Sequence, residues 1–194
     1  MEVVDRRPVD ALACLAGLAV TGAAAAVADR HPAAERRLFS LINDHGSEPR
    51  LVRALQQAGT PWVLPLTAAT ALLLGRRRLA VRAALALPVE KALEVGIKKA
   101  RPVPRPLYVE PTVLRDDAPV EGGSYPSGHA AIATTAACLV APHLPPAVRP
   151  AVLAVGVGSG LVRVSQGAHH PVDAVGGTAL GVAISAGIRL ALGR

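Results

Sequence analysis

Residues 126–173 read PSGHAAIATTAACLVAPHLPPAVRPAVLAVGVGSGLVRVSQGAHHPVD. Two apolar stretches flank the proline-rich turn Pro142 to Pro146, and most polar side chains sit at the outer ends. Two helices of about fifteen residues each rise roughly 22 Å at 1.5 Å per residue, so the chain leaves one face of a bundle and returns to it. The stretch therefore predicts an antiparallel helical hairpin. Its open end gathers Ser127, Gly128 and His129 with Arg163, His169 and Asp173.

Outward from this hairpin the chain stays apolar. Downstream lies a third stretch, Val172 to Leu192, and far upstream Ala11 to Ala28 is uncharged and about as long as a membrane span requires. Arg6 and Arg7 precede that upstream run and Ala26-Val27-Ala28 resembles a small-residue cleavage site, so a secretory signal peptide is the competing reading there. Between them lie the apolar stretch Thr60 to Gly75, the triplet Arg76-Arg77-Arg78, and a helical stretch from Leu79 to Ile97. That last stretch carries Arg82, Glu90, Lys91 and Glu94 and is too charged to face lipid all round. Asp29 to Arg50 reads as an amphipathic segment lying along an interface, with Arg36, Arg37 and Phe39. Lys98 to Pro126, rich in proline and charge, reads as a long loop of the kind that is usually functional. The expected fold is all-α: an integral membrane bundle of about six transmembrane helices, one domain over residues 1–194, with its site at one membrane face. A tightly packed, Ala-rich soluble bundle is the alternative.

Composition narrows the function. With 51% apolar and 18% charged residues the chain is not a disordered tail, and at 2% aromatic it lacks the rings that stack on nucleic-acid bases. Ala, Gly, Leu and Val instead suit helices that approach closely in lipid. The net charge of +7 fits anionic lipid or a phosphate substrate as well as nucleic acid, so position must decide. Cys14 and Cys138 stand in apolar stretches without CxxC spacing and read as small core residues.

Three clusters carry chemistry. In Lys98-Lys99-Ala100-Arg101-Pro102-Val103-Pro104-Arg105-Pro106 the prolines stiffen the backbone, so the cations can be held where a phosphate needs them. In Tyr125-Pro126-Ser127-Gly128-His129, Ser127 fits an N-cap and leaves the N–H groups of Gly128 and His129 at a helix N-terminus, where an anion is favoured. In the third, Pro171 fits the first helical position and Asp173 the third, where a carboxylate suits the helix dipole. His169 and Asp173 are also four apart, so the carboxylate can hold one ring N–H and leave the other nitrogen as a nucleophile. Zinc binding by His169, His170 and Asp173 is the competing use, against which adjacent histidines diverge in direction. His31, His45, His143 and His170 lack such partners and are expected at the surface or the interface.

Taken in order, Lys98-x6-Arg105-Pro106, Pro126-Ser127-Gly128-His129 and Arg163-x5-His169-x3-Asp173 resemble the three-part signature of the type 2 phosphatidic acid phosphatase (PAP2) superfamily. The motif region covers residues 98–173. The resemblance implies a metal-independent membrane lipid phosphate phosphatase that needs no cofactor, with His169 as nucleophile, Asp173 fixing its tautomer and His129 as general acid, then base. It implies that Lys98, Arg105, Ser127, Gly128 and Arg163 bind the phosphate. Val162 stands where the family usually has Ser, which puts one hydrogen bond near the phosphate in doubt. The implied partners are a lipid phosphate, phosphatidate or a polyprenyl (pyro)phosphate, and the bilayer, with no nucleic acid; the oligomeric state stays open. The same superfamily contains broad-specificity acid phosphatases and haloperoxidases, against which the apolar segments argue. A basic membrane protein that only binds anionic lipid is the non-catalytic alternative. By the positive-inside rule Arg76 to Arg78 are cytoplasmic, together with Arg6, Arg7, Arg149, Arg189 and Arg194, which makes the active site extracytoplasmic.

Overall fold

The computed structural model describes residues 6–46, 50–115 and 118–193, so Arg194 lies outside the described residues. The elements are helical: α1 (Arg7–Ala28), α2 (Ala33–Asp44), α3 (Arg50–Gln57), α4 (Val63–Leu73), α5 (Arg77–Ala100), α6 (Gly128–Val140), α7 (Arg149–Ser165) and α8 (Pro171–Leu192). The α6–α7 hairpin turns through two short 3-10 segments, Ala141–His143 and Pro146–Val148, because Pro142 and Pro145 cannot continue a helix.

Among the described residues three helices are long and apolar enough to cross a membrane: α1, α8, and Pro146–Ser165, which holds α7. The six stretches read from the sequence correspond to α1 and α4–α8, but α4 and α6 are shorter than read. The segment Asp29 to Arg50 divides into α2 and the start of α3. Its Phe39 is fully buried, so this segment packs against the protein. Helix α5 runs through Lys98 and Lys99 to Ala100, so these two cations belong to a helix end and not to the loop. Nothing before Pro102 breaks the helix, and the residue preceding a proline is pushed out of the α region.

Helix α6 is the axis of the bundle. Ala130 to Ala137 are all buried, and α5, α7 and α8 pack around them. Small residues allow this. A methyl on Gly181 of α8 would lie 2.6 Å from the Ala131 carbonyl oxygen, and one on Gly17 of α1 would lie 2.7 Å from that of Ala179. These two glycines let backbones meet at distances a side chain forbids. Outward-facing positions are apolar instead of charged: Leu12, Leu15 and Leu18 on α1, Leu66 and Leu73 on α4, Leu161 on α7 and Val175 on α8 are exposed.

Candidate active site

The site is assembled at the N-terminal ends of α6 and α8 and the C-terminal end of α5. At the start of α8, His170 has extended backbone angles, Pro171 opens the helix, and Asp173 Oδ2 accepts the His170 backbone N–H at 2.8 Å. The carboxylate is a helix cap, as the local spacing requires. The same oxygen accepts a bond of 2.5 Å from the Ser124 hydroxyl and faces His169 Nδ1 at 3.5 Å. Asp173 is fully buried and His169 is 3% exposed. The helix cap and the contact with the His169 ring thus draw on one carboxylate. With Nδ1 turned to Asp173, the His169 ring nitrogen left for chemistry is Nε2. Burial pushes the His169 imidazole below its ordinary range, and Arg105 and Lys98 press the same way against the pull of Asp173. The lone pair is therefore present at neutral pH.

The cations converge from the loop and from α5. Arg105 is 5% exposed; its Nε donates to the Glu121 carbonyl at 2.8 Å and its Nη1 to that of Ala168, directly before His169, at 2.9 Å. Burial lowers its pKa, with Asp173 and Glu94 opposing. Lys98 Nζ donates to Glu94 Oε1 at 2.6 Å, while Lys91 Nζ holds Oε2 at 2.5 Å. That carboxylate lies against the first turn of α6, where a methyl on Gly128 would sit 2.5 Å from Oε1. A side chain at position 128 would have to displace the Glu94 carboxylate.

Ser127 stands at the N-cap position of α6, and its backbone N–H donates to the Asp173 carbonyl at 3.0 Å, tying the two helix starts together. Its side chain makes no cap bond, contrary to the simplest reading of the sequence. Oγ is instead buried without a hydrogen-bond partner. An orphaned hydroxyl beside a helix N-terminus suits an anion that would accept from it. His129, half-buried, follows on the first turn of α6, and a methyl on Gly59 would approach its Cβ to 2.7 Å. Arg163, 2% exposed near the end of α7, donates through Nη1 to Gln166 Oε1 at 2.8 Å. Gln166 in turn donates to Gln56 of α3 at 2.8 Å. Val162 is buried and supplies no hydroxyl.

One reading is corrected. His170 is not a surface residue: it is fully buried, its Nε2 lies 2.8 Å from Glu110 Oε1, and its ring packs on His31 and Phe39. Burial holds its pKa down at about 4. His31 is half-buried against it, whereas His45 and His143 are exposed as expected.

Sequence reasoning passed over Ser124, Glu94, Glu110 and Glu35. Glu94, four residues before Lys98, carried a helical ion-pair spacing that would have found it. The others come from distant segments. Glu35 of α2 accepts the Val172 N–H at 3.0 Å, and burial raises its pKa to about 7. Asn43, also of α2, bonds the loop at Val113 and α7 at Ser165. The polar segment thus braces the site from behind.

The family model described as the PAP2 superfamily matches residues 79–193. The crystal structure of Aquifex aeolicus LpxE is similar in fold, with a TM-score of 0.68 and 24% identity, over 77% of this chain and 90% of that one. No curated protein matches the chain.

Proposed function

Because the chain belongs to the PAP2 superfamily, we propose that it is a metal-independent membrane phosphatase that removes phosphate from a lipid phosphomonoester or pyrophosphate through a phosphohistidine on His169. The observation that carries this reading is the His169–Asp173–Ser124 cluster, buried beside Arg105 and Lys98 at one end of a bundle with apolar outer faces.

His169 Nε2 attacks phosphorus while Asp173 keeps the Nδ1 proton and stabilises the imidazolium. The bond from phosphorus to the lipid oxygen breaks, and its electron pair leaves on that oxygen, which takes a proton from His129. Lys98, Arg105 and Arg163, with the Ser127 hydroxyl and the Gly128 N–H, neutralise the equatorial oxygens. Water then attacks the phosphohistidine, His129 takes its proton, and inorganic phosphate leaves. Each role has a side chain, so a chelator leaves the rate unchanged, while vanadate, which adopts five-coordinate geometry, inhibits.

The domain is single and spans residues 1–194. Helices α1 and α4–α8 make six crossings, and the site opens on the extracytoplasmic face, one crossing away from Arg76 to Arg78. A site at the membrane surface favours substrates whose chains stay in the bilayer, at about 0.8 kcal/mol per buried CH₂. The natural substrate is thus a long-chain phosphatidate or an isoprenoid (pyro)phosphate. The test is phosphate release by purified protein from phosphatidate, isoprenoid pyrophosphate, a phosphorylated prenyl-sugar lipid and glycerol 3-phosphate, with His169→Ala as control. Long-chain substrates should dominate kcat/KM. Equal efficiency on glycerol 3-phosphate would favour a broad-specificity phosphatase, and no turnover on any of the four would favour a lipid-binding protein.

A further inference from the structure

At the end of the bundle remote from the candidate site, Arg77, Arg78 and Arg82 of α5, with Val81 and Leu192, line a cavity of about 220 Å³. Arg82 and Lys98 stand on the same helix, sixteen positions and so roughly 24 Å apart. Among the described residues no carboxylate lines this cavity. The acid close by, Asp10, is engaged by Arg189 Nε at 2.8 Å. Arg82 donates one Nη2 bond of 2.6 Å to the Gly193 carbonyl, but its Nε is buried without a hydrogen-bond partner. Arg189 and Arg78 both repel it. Asp10 offsets part of this repulsion, and the cavity keeps a net positive charge and an unused guanidinium donor, which together suit a phosphate group.

A second cavity of about 270 Å³ is lined by Leu18 of α1, Val89 and Leu93 of α5, and Ile184 and Ile188 of α8, among other small or apolar residues. It continues the first along the same helix faces: Val89 stands eight positions after Val81, and Ile188 four before Leu192. Ahead of the arginines, Leu72, Leu73 and Leu74 are exposed. Cations at a helix end followed by an apolar groove match the two parts of one ligand. A free phosphate would use the first part only.

We propose that this is a binding site for an anionic phospholipid, its phosphate on Arg77, Arg78 and Arg82 and one hydrocarbon chain in the groove between α1, α5 and α8. Basic pockets between membrane helices are where anionic headgroups settle. The proposal rests on the membrane placement given under Proposed function but not on the chemistry proposed there.

The test uses the purified full chain, delipidated in detergent, and follows lipid retention and the unfolding temperature with dioleoyl phosphatidylglycerol or dioleoyl phosphatidylcholine. Retention should favour phosphatidylglycerol at least tenfold, with a matching rise in unfolding temperature. The triple variant Arg77→Gln, Arg78→Gln, Arg82→Gln should lose that preference, and Arg78→Gln alone should weaken it if the triple variant does not fold. Ile188→Trp, which fills the groove, should reduce retention with the arginines intact. Equal retention of the two lipids overturns the proposal. So does an equal loss on neutralising Arg36 and Arg37 of α2, which would mean surface charge alone, or full competition by inorganic phosphate. Extraction of the native protein from membranes by alkaline carbonate would instead overturn the membrane placement, a result separate from any lipid preference.

Discussion

Both ends of the bundle gather cations, and the two clusters are built in opposite ways. At the α8 N-terminal end Arg105 and Arg163 are 5% and 2% exposed, and each guanidinium is held by an oxygen of the protein. At the other end Arg76, Arg77 and Arg78 are exposed, with Arg76 making one long bond to the His143 carbonyl, and Arg82 behind them is half-buried and held by the Gly193 carbonyl. Burying a guanidinium is costly, and that cost is offset where a fixed cation meets charge that develops during a reaction. An exposed arginine remains solvated and can follow a mobile headgroup. Burial and fixation, more than the number of charges, separate the end proposed for chemistry from the end proposed for lipid binding.

The sharpest way to break this comparison is at the nucleophile. His169→Ala should lower turnover by about 10⁴-fold or more, and rapid quenching of the active protein should trap phosphate on His169. Turnover that survives would remove the chemical end altogether. His129→Ala should cost roughly 10²- to 10⁴-fold, as loss of a general acid does, and least on substrates with a good leaving group. A uniform loss across leaving groups would assign His129 to binding. A smaller effect sharpens the picture of how a half-buried cation is aimed. Glu94→Gln keeps the shape but removes the charge that holds Lys98, and should raise KM about tenfold, some 1.4 kcal/mol, with kcat less affected. Glu94→Asp should recover part of this, whereas an unchanged KM would mean that Lys98 is placed without Glu94.

Legibility in the sequence followed the same division. The hairpin, the three clusters and the His169–Asp173 pair were readable because each depends on spacing within a few residues or on one turn. Ser124, Glu35 and Glu110 were not readable. Their partners Asp173, Val172 and His170 stand 49, 137 and 60 positions away, and only the packing of α2 and the loop against α8 brings them close. Helix ends were misread where charge was taken for loop, as at Lys98, since a helix ends at a breaker and not at a change of polarity. His170 was misplaced for a related reason: a lone imidazole looks exposed until its acid arrives from elsewhere.

The smallest effect expected concerns that residue and stability. Burial depresses the folded pKa of His170 to about 4, below its ordinary 6.5, so the unfolded chain binds the proton more readily. The stability His170 contributes as a neutral ring is present above pH 6.5 and is lost as the pH falls through about 4. The unfolding temperature of wild type relative to His170→Asn should therefore decline over that window, by a few degrees. Glu35, with its pKa raised to about 7, acts with the opposite sign in both proteins and cancels in the difference. A constant difference across the window would mean that His170 binds its proton equally in the folded and unfolded chain.

The brevity of α6 has a mechanical consequence. Thirteen residues rise about 20 Å and the 3-10 turn Ala141–His143 adds about 6 Å, against a hydrocarbon thickness of about 30 Å. On the six-crossing topology proposed above, a central helix that falls short of the bilayer would draw its ends inward and set Ser127 and Gly128 just below the headgroups, at the floor of a dimple in the membrane surface. The lipid leaflet must thin around such a rim, at a fraction of a kcal/mol per ångström of mismatch. On that topology bilayer thickness would become a control on turnover: lengthening the host lipids would deepen the descent a phosphate must make, and shortening them would bring substrate and floor level.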